Sequence, residues 1–272
     1  METHGLKDNV LSGISGGIGM LRTQLWASGG GVQSAAIAAL IVLGKVAPPD
    51  LAVIVDTERE QSTTWQYMDS VIAPALESVG VVLNRVRKSD FEDKDLYGGK
   101  DNQTLLLPAF TTQGGDVGKL SNWCSSYWKR EVIKRWANSQ GVEFVDTWLG
   151  ISVDEMGRVQ KSRSRKWRTR YPLIEQAMNR GDCVALVKRM GWPEPPRSSC
   201  YMCPNHTAQE WRDIRDNKPA DWQAAIRFER EIQVRDPHAF LHHDCVPLEQ
   251  ADLDEKNGVL FGHNCASGHC FV

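Results

Sequence analysis

The sequence lacks the features that mark membrane, secreted and coat-like nucleic-acid-binding proteins. None of its apolar runs approaches the roughly 20 residues of a membrane-spanning helix. The first residues, METHGLKDNV, have no basic start followed by an apolar stretch. The formal net charge is only −2, which excludes a protein that coats nucleic acid with a basic surface all over. We therefore expect a cytoplasmic protein without a membrane partner.

Common catalytic and structural signatures are also missing. No HExxH pattern and no Ser-His-Asp arrangement is visible. The seven cysteines, an odd number, argue against a disulfide framework in a cytoplasmic chain. Metal binding or thiol chemistry is the better interpretation of these cysteines.

Strand-like and helix-like segments alternate from residue 21 onward. Apolar strands are predicted at 21–27, 51–57, 79–87 and 142–150, with helices at 32–44, 63–78 and 123–136. Residues 91–120 show no periodicity and are interpreted as a long loop. This alternation predicts an α/β fold with a doubly wound, mostly parallel sheet. In such a sheet, ligands bind beyond the carboxyl ends of the strands.

Three segments are expected along the chain. Residues 1–19 are punctuated by glycine and serine and are interpreted as a flexible leader. Residues 20–176 form the predicted nucleotide-binding α/β core. Residues 177–272 form a helical and loop part, a cysteine-bearing carboxyl-terminal extension that completes the cysteine site. Its helices are predicted at 179–191, 207–215 and 219–234, the first two opened by capping boxes.

The stretch ASGGGVQS carries the strongest chemical signal, because three consecutive glycines stand where a strand passes into a helix. Glycine lets backbone N–H groups turn toward an anion, and the helix N-terminus adds partial positive charge. A tight turn without a ligand is the alternative. Asp56 and Thr57 end the next strand on the same rim, where they either hold a ribose, an adenine edge or Mg²⁺, or cap a helix. The loop residues expected to contact phosphates are Ser28, Gly29, Gly30, Gly31, Gln33 and Ser34.

The cysteines give the second signal. Cys200-x-x-Cys203 has the spacing of a metal or cluster site, and Cys124 stands at a predicted helix start upstream. A zinc ion is one option, since His206 would complete a Cys3His set. The alternative is that these residues are ordinary half-buried cysteines that bind no metal. Cys183 falls on an apolar helical face and is expected in the core, and the pair His242-His243 is interpreted as structural.

The third signal is a basic segment at residues 157–170, with seven cations and no acid. It either forms a solvated arm or lies over the glycine loop, where it would clamp phosphates or sulfate or follow a nucleic-acid backbone. Lys129 adds to it from the helix that begins at Cys124. The cations are Arg158, Lys161, Arg163, Arg165, Lys166, Arg168 and Arg170.

Together these motifs resemble a known family. The order is the glycine loop, VDT, WC…YWKR, LGISVDE, the basic segment with YPLIE, and PRSSCYMCP…EW. It is similar to the phosphoadenosine phosphosulfate (PAPS) reductase-like branch of the PP-loop adenine-nucleotide α-hydrolases, above all to phage-encoded members with a cysteine-bearing tail. The resemblance covers roughly residues 20–272. It implies that ATP or PAPS lies on Ser28–Ser34, with Mg²⁺ in ATP-using members. Gln33 departs from the family pattern, which has Asp at that position.

The resemblance also implies roles for the cysteines and the basic segment. Cys124, Cys200 and Cys203 would hold a 4Fe–4S cluster, as in sulfurtransferases that thiolate tRNA. The leading hypothesis is therefore an ATP-dependent sulfurtransferase acting on tRNA or DNA, with a cysteine desulfurase as sulfur source. Alternatives are a thioredoxin-dependent PAPS or adenylylsulfate reductase, and a zinc-stabilised binding module without catalysis. The tail thiols would serve as nucleophile or fourth cluster ligand, and basic residues would bind the polyanion or cofactor. These are Cys265 and Cys270, and Lys129, Arg163, Arg165, Arg168 and Arg170.

Overall fold

A computed structural model describes the chain at residues 21–160, 162 and 164–254. Its first half alternates strands and helices as predicted. The helix predicted at 63–78 is composite, since a π-helical turn, Met68–Ile72, interrupts it just before Pro74. Proline has no N–H to donate to the regular helical ladder, so the turn widens there. The elements are β1 (Thr23–Ser28), α1 (Val32–Val42), β2 (Leu51–Asp56), α2 (Ser62–Tyr67), α3 (Ala73–Glu77) and β3 (Leu83–Arg87).

The segment predicted as a long loop contains four strands of two residues each. Strands this short carry no readable period, which is why sequence analysis missed them. They are β4 (Tyr97–Gly98), β5 (Thr104–Leu105), β6 (Phe110–Thr111) and β7 (Gly118–Lys119). A π-helical turn, Ser126–Glu131, then runs into α4 (Val132–Ser139), and the two together form the helix predicted near 123–136.

The described second half contains the predicted helices and two strands that were not predicted. Both capping boxes are present, with Asn179 paired to Asp182 and Thr207 paired to Glu210. These strands are β9, which lies in the basic segment, and the two-residue β10. The elements are β8 (Val145–Trp148), β9 (Trp167–Arg170), α5 (Pro172–Glu175), α6 (Arg180–Arg189), α7 (Ala208–Asn217), α8 (Pro219–Arg235) and β10 (Ala239–Phe240).

Five of these strands form one parallel sheet in the order β3-β2-β1-β8-β9. The chain builds outward from β1 through β2 to β3, then returns to the other side of β1 for β8 and β9. The strand order therefore reverses between β1 and β8, which is the point where open α/β sheets bind ligands. The predicted doubly wound α/β fold is confirmed.

The two faces of the sheet are buried by different helices. Trp26 and Ile54 point to the face covered by α1, α2 and α6, whereas Leu25 and Val53 point to the face covered by α4. Helix α6 thus packs with the sheet although it follows residue 176. Cys183 lies on α6 and is fully buried there, as predicted, and burial raises the pKa of its thiol to about 12.

A second core lies beside the sheet and is built from residues 96–128 and 200–253. Trp128, Met202 and Trp211 are almost completely buried in it, packed against α7 and α8. Burying each large apolar side chain stabilises the fold by about 1.5–3 kcal/mol. The second core therefore ties the segment after β3 to the carboxyl-terminal helices. In the described residues, no helix is long and apolar enough to cross a membrane.

Candidate functional site

The turn between β1 and α1, which we call the glycine bend (residues 28–34), is closely packed. Gly30 has a φ of +76°, in the left-handed region that favours glycine. A Cβ on Gly30 would lie 2.9 Å from Thr64 Cγ2 and 3.2 Å from Ser198 Oγ. Both the backbone angle and the lack of space therefore require glycine at this position.

The bend presents backbone donors at the start of a helix. Gly29 N donates to Ser34 Oγ at 2.8 Å, and Gly30 N approaches Ser28 Oγ at 3.4 Å. Helix α1 begins after Gly31 without a side-chain cap. The N–H groups of its first turn and the helix dipole thus favour a bound anion. This geometry suits a phosphate group.

Lys129 lies near the bend together with two residues that sequence analysis missed. These three line a small cavity that also borders Ser28 and Gly29. Ser198 Oγ donates to Glu60 Oε1 at 2.6 Å, and Lys129 Nζ lies 3.9 Å from Glu60 Oε2. Because the Glu60 side chain is only 4% exposed, its charge depends on Lys129 for compensation. A buried carboxylate is thus placed beside the bend.

Gln33 contacts a second carboxylate on the β8 side of the bend. Gln33 Nε2 donates to Glu155 Oε2 at 3.1 Å, and Arg180 Nη1 donates to Gln33 Oε1 at 3.2 Å. Arg158 Nη1 donates to the other oxygen of Glu155 at 2.9 Å. The backbone at Gly150 packs closely against Gln33, since a Cβ added to this glycine would lie 3.3 Å from Gln33 Cβ. Glu155 therefore brings a negative charge to the loop position where the family pattern has Asp.

Asp56 and Thr57 lie at the rim, where both have protein partners. Arg85 donates to Asp56 Oδ2 through Nε at 2.9 Å and Nη2 at 2.5 Å, and Glu58 N donates to Oδ1 at 2.7 Å. Thr57 is fully buried, with Oγ1 3.4 Å from Cys200 Sγ. In this structure Asp56 organises the turn after β2, and its contact with a nucleotide or metal stays a prediction.

A short antiparallel pairing carries Cys200 to the same rim. Tyr201 N donates to Arg59 O at 2.8 Å, and Gln61 N donates to Ser199 O at 3.1 Å. The pairing is centred on a bridge between Glu60 and Cys200. Glu60 lines the same small cavity as Ser28 and Gly29, so this pairing places Cys200 opposite a residue that faces the glycine bend.

The other two cysteines of the predicted set are held by loop contacts. Cys124 N donates to Leu106 O at 2.8 Å, and its Sγ donates to Asn122 Oδ1 at 3.1 Å. Cys203 N donates to Cys200 O at 3.1 Å, which closes a turn. Cys124 and Cys200 both pack against the second core. Folding thus attaches both to one packed unit despite the long stretch of sequence between them.

The distances between the predicted ligand atoms show whether a zinc site is already formed at the cysteines. A tetrahedral zinc ion with Zn–S bonds of about 2.3 Å holds its sulfurs about 3.8 Å apart. Among the described residues, no three donor atoms of the predicted set Cys124, Cys200, Cys203 and His206 lie within 4.8 Å of one another. In a four-iron cluster each cysteine binds a different iron, so its sulfurs lie farther apart than around one ion. The described residues therefore contain no preformed three-ligand zinc site at these cysteines.

His206 is occupied by another contact. Its Nε2 lies 2.9 Å from Cys200 O, and its ring packs edge-on against Trp211. Burial lowers the pKa of His206 to about 3, so the ring is neutral near pH 7. In this arrangement His206 supports the cysteine turn, and its Nε2 is directed to a carbonyl oxygen.

The described part of the basic segment is divided between the two ends of the sheet. Strand β9 pairs in parallel with β8, so residues 165 and 166 stand at the amino ends of the strands. Arg22, which precedes β1, donates to Arg165 O at 3.0 Å at that edge. Among the described cations of the segment, Arg170 lies at the carboxyl end of β9, where it pairs with Glu175, and Arg158 lies near the bend through its pair with Glu155. Arg165 and Arg168 are both exposed, and their contact with a bound phosphate or polyanion stays a prediction.

An open cleft of about 630 Å³ lies beside the cysteine turn. Its wall includes Tyr201 and a charge cluster in which Asp95 accepts from Arg59 at 2.7 and 2.8 Å and from Lys88 at 2.6 Å. Burial opposes ionisation of Asp95, but these hydrogen bonds outweigh it and lower the pKa. The Arg59 guanidinium lies 5.1 Å from the Trp128 ring centre. The volume is typical of a ligand pocket, for which about 300–1,000 Å³ is usual.

No family model and no curated protein matches the chain. Solved structures to which it is similar include a PAPS reductase from Candida auris, as a phosphate complex, with 16% identity and a TM-score of 0.41 over 65% of this chain and 76% of that one. Another is the U34-tRNA thiolase NcsA from Methanococcus maripaludis with its 4Fe–4S cluster, with 14% identity and a TM-score of 0.42 over 91% and 80%. The likeness to both concerns the fold. At these values neither protein assigns a substrate, cofactor or residue role to this chain.

Three predicted site residues lie outside the described residues. They are Arg163, Cys265 and Cys270.

Proposed function

We propose that the chain is an adenine-nucleotide-dependent enzyme of sulfur metabolism, most specifically an ATP-dependent iron–sulfur sulfurtransferase of the ATP pyrophosphatase type. The observation that carries the proposal is the position of Cys200. Its pairing with Glu60 and the 3.4 Å contact with Thr57 hold a thiol at the sheet edge that bears the glycine bend. A nucleotide on the bend would thus face a sulfur ligand.

In this proposal the bend binds the phosphates of the nucleotide. The uncapped N–H groups in the first turn of α1 would donate to phosphate oxygens, and Lys129 would offset part of their negative charge. The carboxylates of Glu60 and Glu155 flank the bend, and they would supply the oxygen ligands that Mg²⁺ prefers. Glu155 takes over the acidic role that Gln33 cannot perform.

The three predicted thiols would hold a 4Fe–4S cluster. Thiolates are the ordinary ligands of such clusters, and the half-buried setting of Cys124 and Cys200 against the second core limits contact with water. When bound, a cluster with three protein ligands supplies an iron site able to carry sulfur for transfer. The chain itself contributes the anchoring of the thiols: Cys200 through its pairing with Glu60, and Cys203 through the turn after it.

A nucleic-acid acceptor, either a tRNA base or a DNA backbone, is the finer part of the proposal. It rests on the basic segment, whose residues Arg165, Lys166 and Arg168 are exposed to solvent. Because these cations lie at the amino edge of the sheet, they would contact a polyanion away from the phosphate site. They would add affinity without touching the reacting atoms.

The test is metal, sulfide and product analysis of the full chain kept from air. We expect iron and acid-labile sulfide in the wild type, and pyrophosphate release from ATP with Mg²⁺ in the presence of an acceptor. Cys200→Ser should lose the iron, whereas the matched core variant Cys183→Ser should keep it. A colourless protein without iron would overturn the proposal, and a zinc ion that is lost in Cys200→Ser would favour a zinc-stabilised binding module. Sulfite release from PAPS with thioredoxin would identify a reductase instead.

A further inference from the structure

We propose that the loop after β10 binds a divalent metal ion of the zinc class through His242, His243 and Asp244. The two Nδ1 atoms lie 3.2 Å apart. Asp244 Oδ2 lies 3.2 Å from His242 Nδ1, and Asp244 Oδ1 lies 3.2 Å from His243 Nδ1. Sequence analysis alone interprets this histidine pair as structural, and only the folded loop shows the three donors converging.

The three distances are those of ligands around one small ion. Nitrogen and oxygen ligands about 2.0–2.1 Å from a tetrahedral zinc ion lie about 3.3 Å from one another. Two imidazole nitrogens that face each other this closely repel through their lone pairs unless a proton or a cation lies between them. In the part of the chain that the structure describes, this is the one group of three His, Cys, Asp or Glu donors within 4.8 Å of one another.

The loop is held in this shape from both ends. Glu229 on α8 is buried, and its two oxygens accept from Leu241 N at 2.8 Å and from Leu248 N at 2.6 Å. Between these anchors, Cys245 N approaches His242 O at 3.2 Å and bends the chain back. The two hydrogen bonds to Glu229 thus hold the donors in place. Metal binding would therefore cost little conformational entropy in this loop.

Burial and ligand types indicate the class of ion. The His242 side chain is 3% exposed, His243 is 22% exposed and Asp244 is 39% exposed, so the site has one anchored ligand and an open side. Two imidazoles and one carboxylate suit zinc, and three protein ligands leave one position for water. The set shares no residue with the cysteines or the glycine bend.

The test is a cobalt titration, with Co²⁺ as a spectroscopic substitute for zinc in the chelator-treated full chain. We expect one bound Co²⁺ with visible bands but without sulfur-to-cobalt charge transfer. His243→Ala and Asp244→Asn should each weaken that binding at least about ten-fold. The matched control His238→Ala, which removes an exposed histidine four residues before the first ligand, should not change it.

Circular dichroism and melting of the metal-free forms check that the variants are folded. The proposal is overturned if no Co²⁺ binds. It is equally overturned if both variants bind Co²⁺ as tightly as the wild type, or if the absorption they lose carries sulfur charge-transfer bands. Because Cys200→Ser leaves this loop unaltered, a failed iron analysis and a failed cobalt titration are separate results.

Discussion

The sheet and the second core position their chemical groups in different ways. The glycine bend follows directly from β1, whose neighbours β2 and β8 pair with it along four residues each. The cysteine turn is attached to the rim by the isolated bridge between Glu60 and Cys200 and by packing on the second core. The bend therefore depends on long regular elements, whereas the cysteine arrangement depends on contacts between distant segments. Disturbing one region should leave the other largely intact.

The largest effect is expected from Trp211→Ala. This side chain is fully buried in the second core, and truncating a buried tryptophan costs about 3–5 kcal/mol of stability. Iron retention should fall, while nucleotide affinity at the sheet should persist. Urea unfolding and nucleotide titration measure the two effects. Trp123→Ala is the control, since that ring is 48% exposed. Equal loss of nucleotide affinity and iron would show that the two regions are one unit.

Gly30→Ala should give the reverse result, a loss of nucleotide binding at the bend while the cysteine arrangement stays intact. The new Cβ would meet Thr64 Cγ2 at 2.9 Å, so we expect nucleotide binding to weaken by about 100-fold, about 2.7 kcal/mol, with iron retained. Gly44→Ala is the matched control, because Gly44 has a similar φ of +65° but a methyl group added there would meet nothing within 4 Å. Calorimetric titration with nucleotide checks both. Similar losses in the two variants would assign the effect to backbone strain alone.

Glu155→Gln should reduce Mg²⁺-dependent turnover by about ten-fold, or about 1.4 kcal/mol. The physical reason is the loss of the carboxylate that contacts Gln33 at 3.1 Å. Adding Gln33→Asp to that variant should restore part of the activity by returning the charge to the bend. Glu175→Gln, which affects a partly exposed pair with Arg170, is the control. Turnover that is independent of Mg²⁺ in all variants would contradict this role.

The smallest effect is expected from acid at the charge cluster of the cleft. The folded state lowers the pKa of Asp95, so the unfolded chain binds more protons as pH falls below about 4. The stabilisation by Arg59 and Lys88 is therefore present above that pH and is lost as pH falls through the lowered pKa. Because Asp95 is 45% exposed, we expect under about 1 kcal/mol. The difference between the urea midpoints at neutral and acid pH should be smaller in Asp95→Asn than in the wild type, and unchanged in Asp90→Asn.

The sheet could be predicted because its elements are long enough to show a period. β2 is a continuous apolar strand buried on both faces, and the capping boxes of α6 and α7 mark their first residues. β9 was missed because it is an edge strand rich in arginine, and an edge tolerates charge on its open side. The short strands of residues 97–119 were missed because two residues cannot display alternation.

The sequence by itself determined the alternation of strands and helices, the glycine bend between the first pair, and the thiol-rich segment near residue 200. Only the tertiary structure decided which groups meet: Ser198 bonds Glu60 across 138 residues, Arg85 occupies Asp56, and Arg165 lies at the far edge of the sheet. The physical reason is the distance along the sequence over which each kind of interaction acts. Hydrophobic period and helix capping act over a few neighbouring residues, whereas charge pairing and packing act between whatever side chains the folded chain brings into contact.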